Sequence, residues 1–342
     1  MKDFLAQNGW VLAVFAVLAV LCPQLERWSD PYQQQILMMV GINCLLAVSL
    51  TLINGITGQF SIGHAAFMAI GAYGSGWVSL QIADRFFAAV SWMPAVIASN
   101  LWIVCALAVG GLLAGMAGFL VGMPTLRLRG DYLAIATLGF GEIIRVLILT
   151  RPELGAATGM AVRPNDVGLF WIAAMLVACV VVVARISRCP RGLAFSAVRE
   201  DEIAAMSVGI DPTRYKVAAF IVGAFFAGVA GALFAHQSSS GYIHPTGFGF
   251  IKSFEIVVMI VLGGLGSITG AIVGAVVLTV LPEILRTGNQ YRIVIYAVML
   301  IALMLLRPQG LFGRHEFTPV EIRRLGGWLK ETWAKWSGKG GA

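Results

Sequence analysis

The chain has 342 residues, of which 58% are hydrophobic and only 12% are charged, and its mean hydropathy is +0.84. A soluble protein of this length usually carries about twice that fraction of charged residues, so the composition excludes a water-soluble globular protein and predicts an integral membrane protein. The net charge of +7 bears mainly on orientation, because Lys and Arg accumulate on the cytoplasmic side of a membrane.

Apolar stretches long enough to cross a bilayer recur along the chain. A hydrocarbon core about 30 Å thick needs roughly 20 apolar residues in a helix that rises about 1.5 Å per residue. Lipid cannot satisfy backbone polar groups, and the alternation typical of barrel strands is absent, so the spans are expected to be helices. We predict an all-α, polytopic integral membrane protein with about ten transmembrane or re-entrant helices, at residues 9–22, 34–54, 60–80, 98–122, 131–150, 167–186, 217–236, 252–266, 268–286 and 291–306.

The basic residues predict how these spans are oriented. If ten helices start from a cytoplasmic N-terminus, most Lys and Arg residues fall on the inner side, and Lys252 is among those assigned to the outer side. Both termini are then cytoplasmic, as is the long loop 187–216. We predict a transmembrane permease domain at 1–312 and a basic cytoplasmic tail at 313–342, whose tryptophans and lysines favour contact with membrane lipid over nucleic acid.

Two glycine-rich regions interrupt the apolar pattern, at 55–73 and 263–274. Both are too flexible and polar for continuous helix facing lipid, and they suit breaks or tight hairpins that are buried or line a cavity. We predict a translocation pathway or a structured break at Gly58, Gln59, Ser61, Gly63, His64, Gly263, Gly264 and Gly266. Close packing of helices through small residues is the alternative, and it is the favoured role for Gly71, Gly74 and Gly274.

Ionisable residues inside membrane spans are costly and usually face the protein interior. His64, Glu142, Arg145 and Glu255 fall in predicted spans. Glu142 and Arg145 are three residues apart on one helix, so they are expected to form a structural ion pair. No spacing suggests a metal site or a catalytic nucleophile with its base, and the single cysteines indicate no disulfide framework.

The polar segment 191–212 is the longest stretch between spans. We predict a short helix from about Ala197 to Val208 that Gly209 terminates, followed by a helix that Asp211 caps and Pro212 begins. Such a projection could dock on another protein, and the alternative is an amphipathic helix on the membrane surface. The residues expected to couple it to a partner are Arg191, Gly192, Arg199, Glu200, Glu202, Ala204, Ala205 and Gly209.

The spacing Glu202-x-Ala204-Ala205-x3-Gly209 resembles the EAA-type loop of permease subunits in ATP-binding-cassette (ABC) importers, which docks on the ATPase subunit. The chain itself has no Gly-x4-Gly-Lys-Ser/Thr phosphate loop. If ATP drives transport, it is therefore expected to bind on partner subunits. This chain is expected to bind no cofactor and to be no enzyme.

Five segments together resemble the LivM-type permease family of high-affinity branched-chain amino acid ABC importers. They read GQFSIGHAAFMAIGAY (58–73), LRLRGDYLAIATLGFGEIIR (126–145), REDEIAA (199–205) with Gly209, Glu255 with VLGGLGS (261–267), and RPQGL (307–311). The resemblance implies a multi-pass protein of the bacterial inner membrane. It also implies a heterodimer with a second, LivH-type permease, two ATPase subunits and a periplasmic solute-binding protein.

The transported solute is less defined than the class of transporter. The resemblance implies branched-chain or related amino acids, with urea, short amides or aromatic acids as alternatives within the same class. The segment 157–161 departs from the glycine-rich turn usual in the family, which leaves open how the loop meets a solute-binding protein. An autonomous secondary transporter is the second alternative, and it would be expected to show coupling-ion carboxylates near the middle of the membrane.

Overall fold

The computed structural model describes residues 2–125, 130–162, 167–237 and 242–285 together with six isolated positions between 297 and 313, and it describes side chains from residue 14 onward. The predicted span 291–306 and the tail 313–342 lie almost wholly outside these ranges. The α-helices of the described part are α1 Lys2–Trp28, α2 Pro31–Leu50, α3 His64–Ala89, α4 Ala95–Thr125, α5 Asp131–Thr150, α6 Leu169–Arg188, α7 Pro190–Glu200, α8 Glu202–Ser207, α9 Pro212–His236, α10 Phe250–Gly263 and α11 Ile268–Ile284.

Six helical segments of the described part are long and apolar enough to cross a membrane. They are Pro31–Ile56, Ala95–Thr125, Asp131–Thr150, Leu169–Arg188, Pro212–His236 and Pro245–Gly263, and α11 is a shorter apolar helix. The predicted all-α, polytopic fold is confirmed. Two short strands, β1 Met160–Ala161 and β2 Tyr242–Ile243, pair antiparallel in the connections that follow α5 and α9.

The helices α3, α4 and α9 form the tightest part of the bundle. A Cβ atom on Gly71 of α3 would overlap the backbone of Gly228 of α9, and a Cβ on Gly228 would overlap Gly110 and Ala114 of α4. Glycine allows these backbones to approach closely, which is how helices associate where lipid offers no hydrophobic driving force. The packing role predicted for Gly71 is confirmed.

The end of α2 is irregular, as the first glycine-rich region predicts. After Leu50 the helix widens into a π-helical turn, Thr51–Ile56, and residues 57–63 are not helical. The predicted span 60–80 therefore begins later, at His64. Gly58 has φ +73°, a conformation that favours glycine, and the side chain of Asn54 exchanges two hydrogen bonds with the backbone of Ser61. We call the segment 51–63 the α2 break.

The second glycine-rich region forms a tight turn between α10 and α11. Gly264 and Gly266 have φ +119° and +94°, and the Ser267 hydroxyl caps α11 by accepting a hydrogen bond from the Gly270 amide at 3.0 Å. Gly263 and Gly274 pack so closely that a Cβ on Gly274 would overlap the backbone of α10. We call this turn the α10–α11 hairpin.

Candidate functional site

The segment that precedes α9 contains two helices, α7 and α8, so the prediction of one helix from 197 to 208 is wrong. The helix is interrupted at Asp201, whose backbone is extended with φ −157°. The Asp201 carboxylate accepts hydrogen bonds from the amides of Ile203 at 2.7 Å and Ala204 at 3.1 Å. An acidic N-cap therefore starts α8 as a separate helix.

The predicted end of this segment is confirmed. Gly209 has φ +84°, and the amides of Gly209 and Ile210 donate to the carbonyls of Met206 and Ala205, each at 3.0 Å. This pattern is a Schellman motif, which terminates a helix with a left-handed glycine. Asp211 caps α9 through the Thr213 amide at 3.0 Å, and Pro212 is the first residue of that helix.

The surface of the α7–α8 pair is more apolar than the sequence motif predicts. Its large exposed hydrophobic residues are Leu193, Ile203, Met206 and Val208. We call these four residues the apolar patch. These four residues were not predicted, because the EAA-type motif consists of small and charged residues. Their signal was present, since large apolar residues in a polar inter-span loop are candidates for contact with another protein.

Several residues predicted to contact a partner are placed elsewhere. Ala204 and Arg191 are exposed, but Ala205 lies on the inner side of α8 and is buried. Gly192 is also buried, and a Cβ there would overlap the backbone of Ile186 and Ser187. Ala205 and Gly192 therefore allow close packing within the protein and present no side chain to a partner.

Arg199, near the end of α7, points toward the membrane helices. Its Nη1 atom donates to the carbonyl of Gly55 at 3.0 Å, and its Nη2 atom lies 2.7 Å from the Glu200 carboxylate. The aliphatic part of Arg199 lies against Gly58, where a Cβ atom would collide with it. One side chain thus joins α7 to the α2 break.

A second polar link ties α8 to α9. The Glu202 carboxylate forms an ion pair with the ammonium group of Lys216, which is almost wholly buried. The backbone carbonyl of Lys216 in turn accepts a hydrogen bond from the Gln59 side chain at 3.4 Å. The buried ammonium group is compensated by this carboxylate, so breaking the pair would leave an uncompensated buried charge.

Most of the α2 break is buried, although Gly58 and Phe60 are exposed, and Gln59, Ser61 and the adjoining His64 are almost wholly inaccessible. His64 Nε2 lies 2.8 Å from the Ser49 hydroxyl, while the Ile62 amide donates to Thr137 of α5. Gln59 Oε1, Ser61 Oγ and His64 Nδ1 are buried without a partner among the residues that the structure describes. Buried polar atoms normally have hydrogen-bond partners. Because these three atoms have none in the described structure, a rearrangement of the cluster would break no hydrogen bond at them.

The two glycine-rich regions, distant in sequence, meet at this site. A Cβ atom on Gly55 would lie 2.6 Å from the Gly266 amide nitrogen, so only glycine allows the α2 break to touch the α10–α11 hairpin. A Cβ on Gly266 would lie 3.4 Å from Nη1 of Arg199. Arg199 therefore reaches the point where both irregular segments meet.

A separate group of ionisable residues surrounds the start of α10. Arg145 Nε and Glu142 Oε2 lie 2.7 Å apart, and Glu142 Oε1 accepts a hydrogen bond from the Phe250 amide at 3.3 Å. Lys252, which the basic-residue count assigned to the outer side, lies in the first turn of α10. Its ammonium group donates to Asn43 of α2 and to Glu255, each at 3.1 Å.

Within the described ranges, no group of three or more His, Cys, Asp or Glu side chains could hold a metal ion. The five cysteines are free thiols.

Comparison with known proteins gives consistent matches over most of the chain. The model of the family described as "Branched-chain amino acid transport system / permease component" matches residues 33–304. The permease LivM of Salmonella typhimurium is 35% identical over 336 residues, which cover 88% of this chain and 74% of that protein. The permease LivH of Escherichia coli is 28% identical over 305 residues, which cover 81% of this chain and 92% of that protein. No solved structure matches the chain.

Proposed function

The chain belongs to the family of permease components of branched-chain amino acid transport systems, and from that premise we propose how it couples transport to ATP. The α7–α8 pair docks, through its apolar patch, on an ATPase subunit of an ABC importer. Arg199 and Glu202 then carry movement of the docked pair into the α2 break and α9. ATP is bound and hydrolysed on the partner subunits.

The wider assignment follows from the relatives. The solute is a branched-chain or related amino acid, since the named relatives are branched-chain amino acid permeases; urea, short amides and aromatic acids are the alternatives. The chain spans a bacterial inner membrane about ten times with both termini cytoplasmic, within the proposed permease domain 1–312 and the tail 313–342. It pairs with a second, LivH-type permease and receives solute from a periplasmic binding protein.

The observation that carries this proposal is that the two surfaces of the α7–α8 pair differ: one is exposed and the other is attached to the protein. Its outer surface exposes the apolar patch, while its inner surface is attached by Arg199 to Gly55 and by Glu202 to Lys216. A helix lying on the membrane surface would turn its apolar residues to lipid and its charges to water. Here the charged side chains of Arg199 and Glu202 contact the rest of the protein, so the exposed apolar residues are available to a partner.

For transport, this attachment means that movement of the α7–α8 pair is passed directly to the membrane helices. Because the pair is attached at two points, a push from an ATPase displaces the α2 break and α9 together. The α2 break contacts the α10–α11 hairpin at Gly55 and Gly266, so the hairpin must respond. Movement of packed elements about irregular joints is a common basis for alternating access.

The docking role is tested by replacing Ile203 and Val208 with lysine and measuring how much ATPase co-purifies in mild detergent. Two lysines at the centre of an apolar contact should remove most of the bound ATPase, because interface centres disfavour lysine. Trp92→Lys is the control, since Trp92 is an exposed apolar residue in the connection between α3 and α4. Undiminished ATPase with the double variant would refute docking through this patch. Solute movement by the chain without any ATPase would favour an autonomous transporter.

A further inference from the structure

The start of α3 is held by hydroxyl groups from three other helices. The Ser49 hydroxyl of α2 lies 2.8 Å from Nε2 of His64. Thr137 of α5 and Ser253 of α10 accept hydrogen bonds from backbone amides on either side of His64, each at 3.1 Å. Ser49, Thr137 and Ser253 all belong to segments long and apolar enough to cross a membrane. Uncharged polar groups from four helices therefore meet inside an apolar bundle.

The segment 59–64 also carries three buried polar atoms that have no hydrogen-bond partner within the described part of the chain. They are Gln59 Oε1, Ser61 Oγ and His64 Nδ1, and none of these side chains is more than 3% exposed. Ser79 Oγ and Trp102 Nε1 are unpartnered too, but they lie on separate helices. An unpaired buried polar atom lowers stability, so three of them within six residues indicate a functional role.

The neighbouring hydrogen bonds identify these atoms as acceptors. The Ser49 hydroxyl donates its one proton to the backbone carbonyl three residues earlier, at 2.9 Å, so its oxygen accepts from Nε2–H of His64 and Nδ1 carries the lone pair. Gln59 Nε2 donates to the Lys216 carbonyl, which leaves the amide oxygen of Gln59 free. The Ser61 hydroxyl can both accept and donate. We call residues 59–64 the acceptor segment.

Uncharged acceptors suit a solute that offers N–H groups. An ammonium group has three N–H donors and no acceptor, whereas a carboxylate only accepts and would find one donor among the three atoms, the Ser61 hydroxyl. Branched-chain amino acids carry an ammonium group, and urea and short amides carry N–H groups as well. Aromatic acids without an amino group carry none. The chemistry of the acceptor segment therefore separates the solute classes that the sequence left open.

We propose that the acceptor segment binds the N–H groups of the transported solute; the inference rests on the proposed function. The segment is buried in this structure, so a solute reaches it only when the α2 break moves. Arg199 attaches that break to α7, so movement of the α7–α8 pair governs access. Contact with the acceptors then compensates the N–H groups for the water that they lose inside the bundle.

The test is Ser61→Ala in sealed vesicles that contain the chain, the second permease and the ATPases, supplied with ATP and the binding protein. Radiolabelled leucine, urea, acetamide and benzoate are the probes, and the readouts are solute imported per ATP hydrolysed and the thermal midpoint in detergent. Ser79→Ala is the matched control, because its hydroxyl is also buried and unpartnered among the described residues, about four turns along α3 from His64. His64→Gln is a second variant, which keeps an amide towards Ser49 and removes the Nδ1 acceptor.

We expect the fastest imported probe to be one that carries N–H groups. Ser61→Ala and His64→Gln should each lower leucine import per ATP by about tenfold, the effect of losing one hydrogen bond to a charged group, while Ser79→Ala leaves it unchanged. The thermal midpoint of Ser61→Ala should not fall, because the hydroxyl that it removes has no partner in the described structure.

Import of benzoate as the fastest probe would overturn the inference. A lower thermal midpoint of Ser61→Ala with unchanged import would also overturn it, since the hydroxyl would then have a structural partner such as a buried water. Co-purification of the ATPase is measured on the same membranes. If the ATPase is retained and both variants import as the unchanged chain does, this inference fails and the proposed function stands. If no ATPase co-purifies, the proposed function fails.

Discussion

Arg199 illustrates how one residue can join a surface element to the interior. Its aliphatic part covers Gly58, and its guanidinium group reaches the carbonyl of Gly55 in the π-helical turn. The turn interrupts the regular helical hydrogen bonds, so a carbonyl there is available to an outside donor. A planar, permanently charged guanidinium group suits such a partly buried contact.

Replacing Arg199 with methionine should weaken communication between the ATPase and the membrane helices, so that solute-stimulated ATP hydrolysis and uptake fall together. The variant keeps an aliphatic stem over Gly58 and loses the charged donor, a contact worth about 1.5–3 kcal/mol, or roughly a tenfold or greater change in an equilibrium. Solute-stimulated ATPase activity and uptake should therefore fall by about tenfold while the ATPase still co-purifies. Arg214→Met is the control, because Arg214 is an exposed arginine in the first turn of α9 that pairs with Asp211. Equal effects of both substitutions would contradict the role given to Arg199.

The sequence predicts residue roles well where the cause is local. Gly209 terminating a helix and Asp211 capping the next depend on neighbours within a few residues, and so does the spacing of Glu142 and Arg145. The contacts of Arg199 and Lys252 were missed because their partners, Gly55 and Asn43, are distant in sequence. Spacing places a side chain on a helix face but does not identify the helix that the face meets.

At the scale of elements, glycine contacts set how closely the helices pack. Gly71, Gly110 and Gly228 place the backbones of α3, α4 and α9 in direct contact, and Gly231 of α9 lies against the backbone of Met68. Backbone atoms cannot move aside as a flexible side chain can. These crossings therefore leave the three backbones little room to shift, and the irregular α2 break lies beside them.

Gly71→Ala should destabilise the chain strongly, since its methyl group would overlap the Gly228 backbone. Overpacking of this kind costs about 1–3 kcal/mol, which predicts a thermal midpoint in detergent lower by about 5 °C. Gly139→Ala is the matched control, because a Cβ there meets nothing within 4 Å on a helix of the same bundle. A midpoint for Gly71→Ala equal to that of the control would show that the α3–α9 contact is looser than described.

Elements were predictable where composition changes along the chain. The glycine-rich regions predict the α2 break and the α10–α11 hairpin, because glycine lowers helix stability and permits positive φ. The division of α7 from α8 was missed, although Asp201 followed by Glu202 is a typical N-terminal signal. The start of α10 near the middle of α5 was not predicted either, since hydropathy gives the length of an apolar segment and not its depth.

At the scale of the whole molecule, an apolar helical bundle carries two polar regions with different surroundings. One is the α2 break, buried and attached to the α7–α8 pair by Arg199 and Glu202. The other comprises the ion pairs Glu142–Arg145 and Lys252–Glu255 near the start of α10. Composition alone predicts the apolar bundle, whereas the two polar regions arise from contacts between distant segments. The proposed coupling to an ATPase depends on the first of these regions.

Solute uptake into sealed vesicles tests this account most directly. The vesicles contain the chain and its second permease, with or without the ATPase subunits, and receive ATP on the ATPase side and solute with its binding protein on the other. We predict uptake only with ATPase and ATP together, and its loss when Ile203 and Val208 are both replaced by lysine. Uptake that proceeds without the ATPase, or that is unaffected by those two lysines, would contradict the central claim.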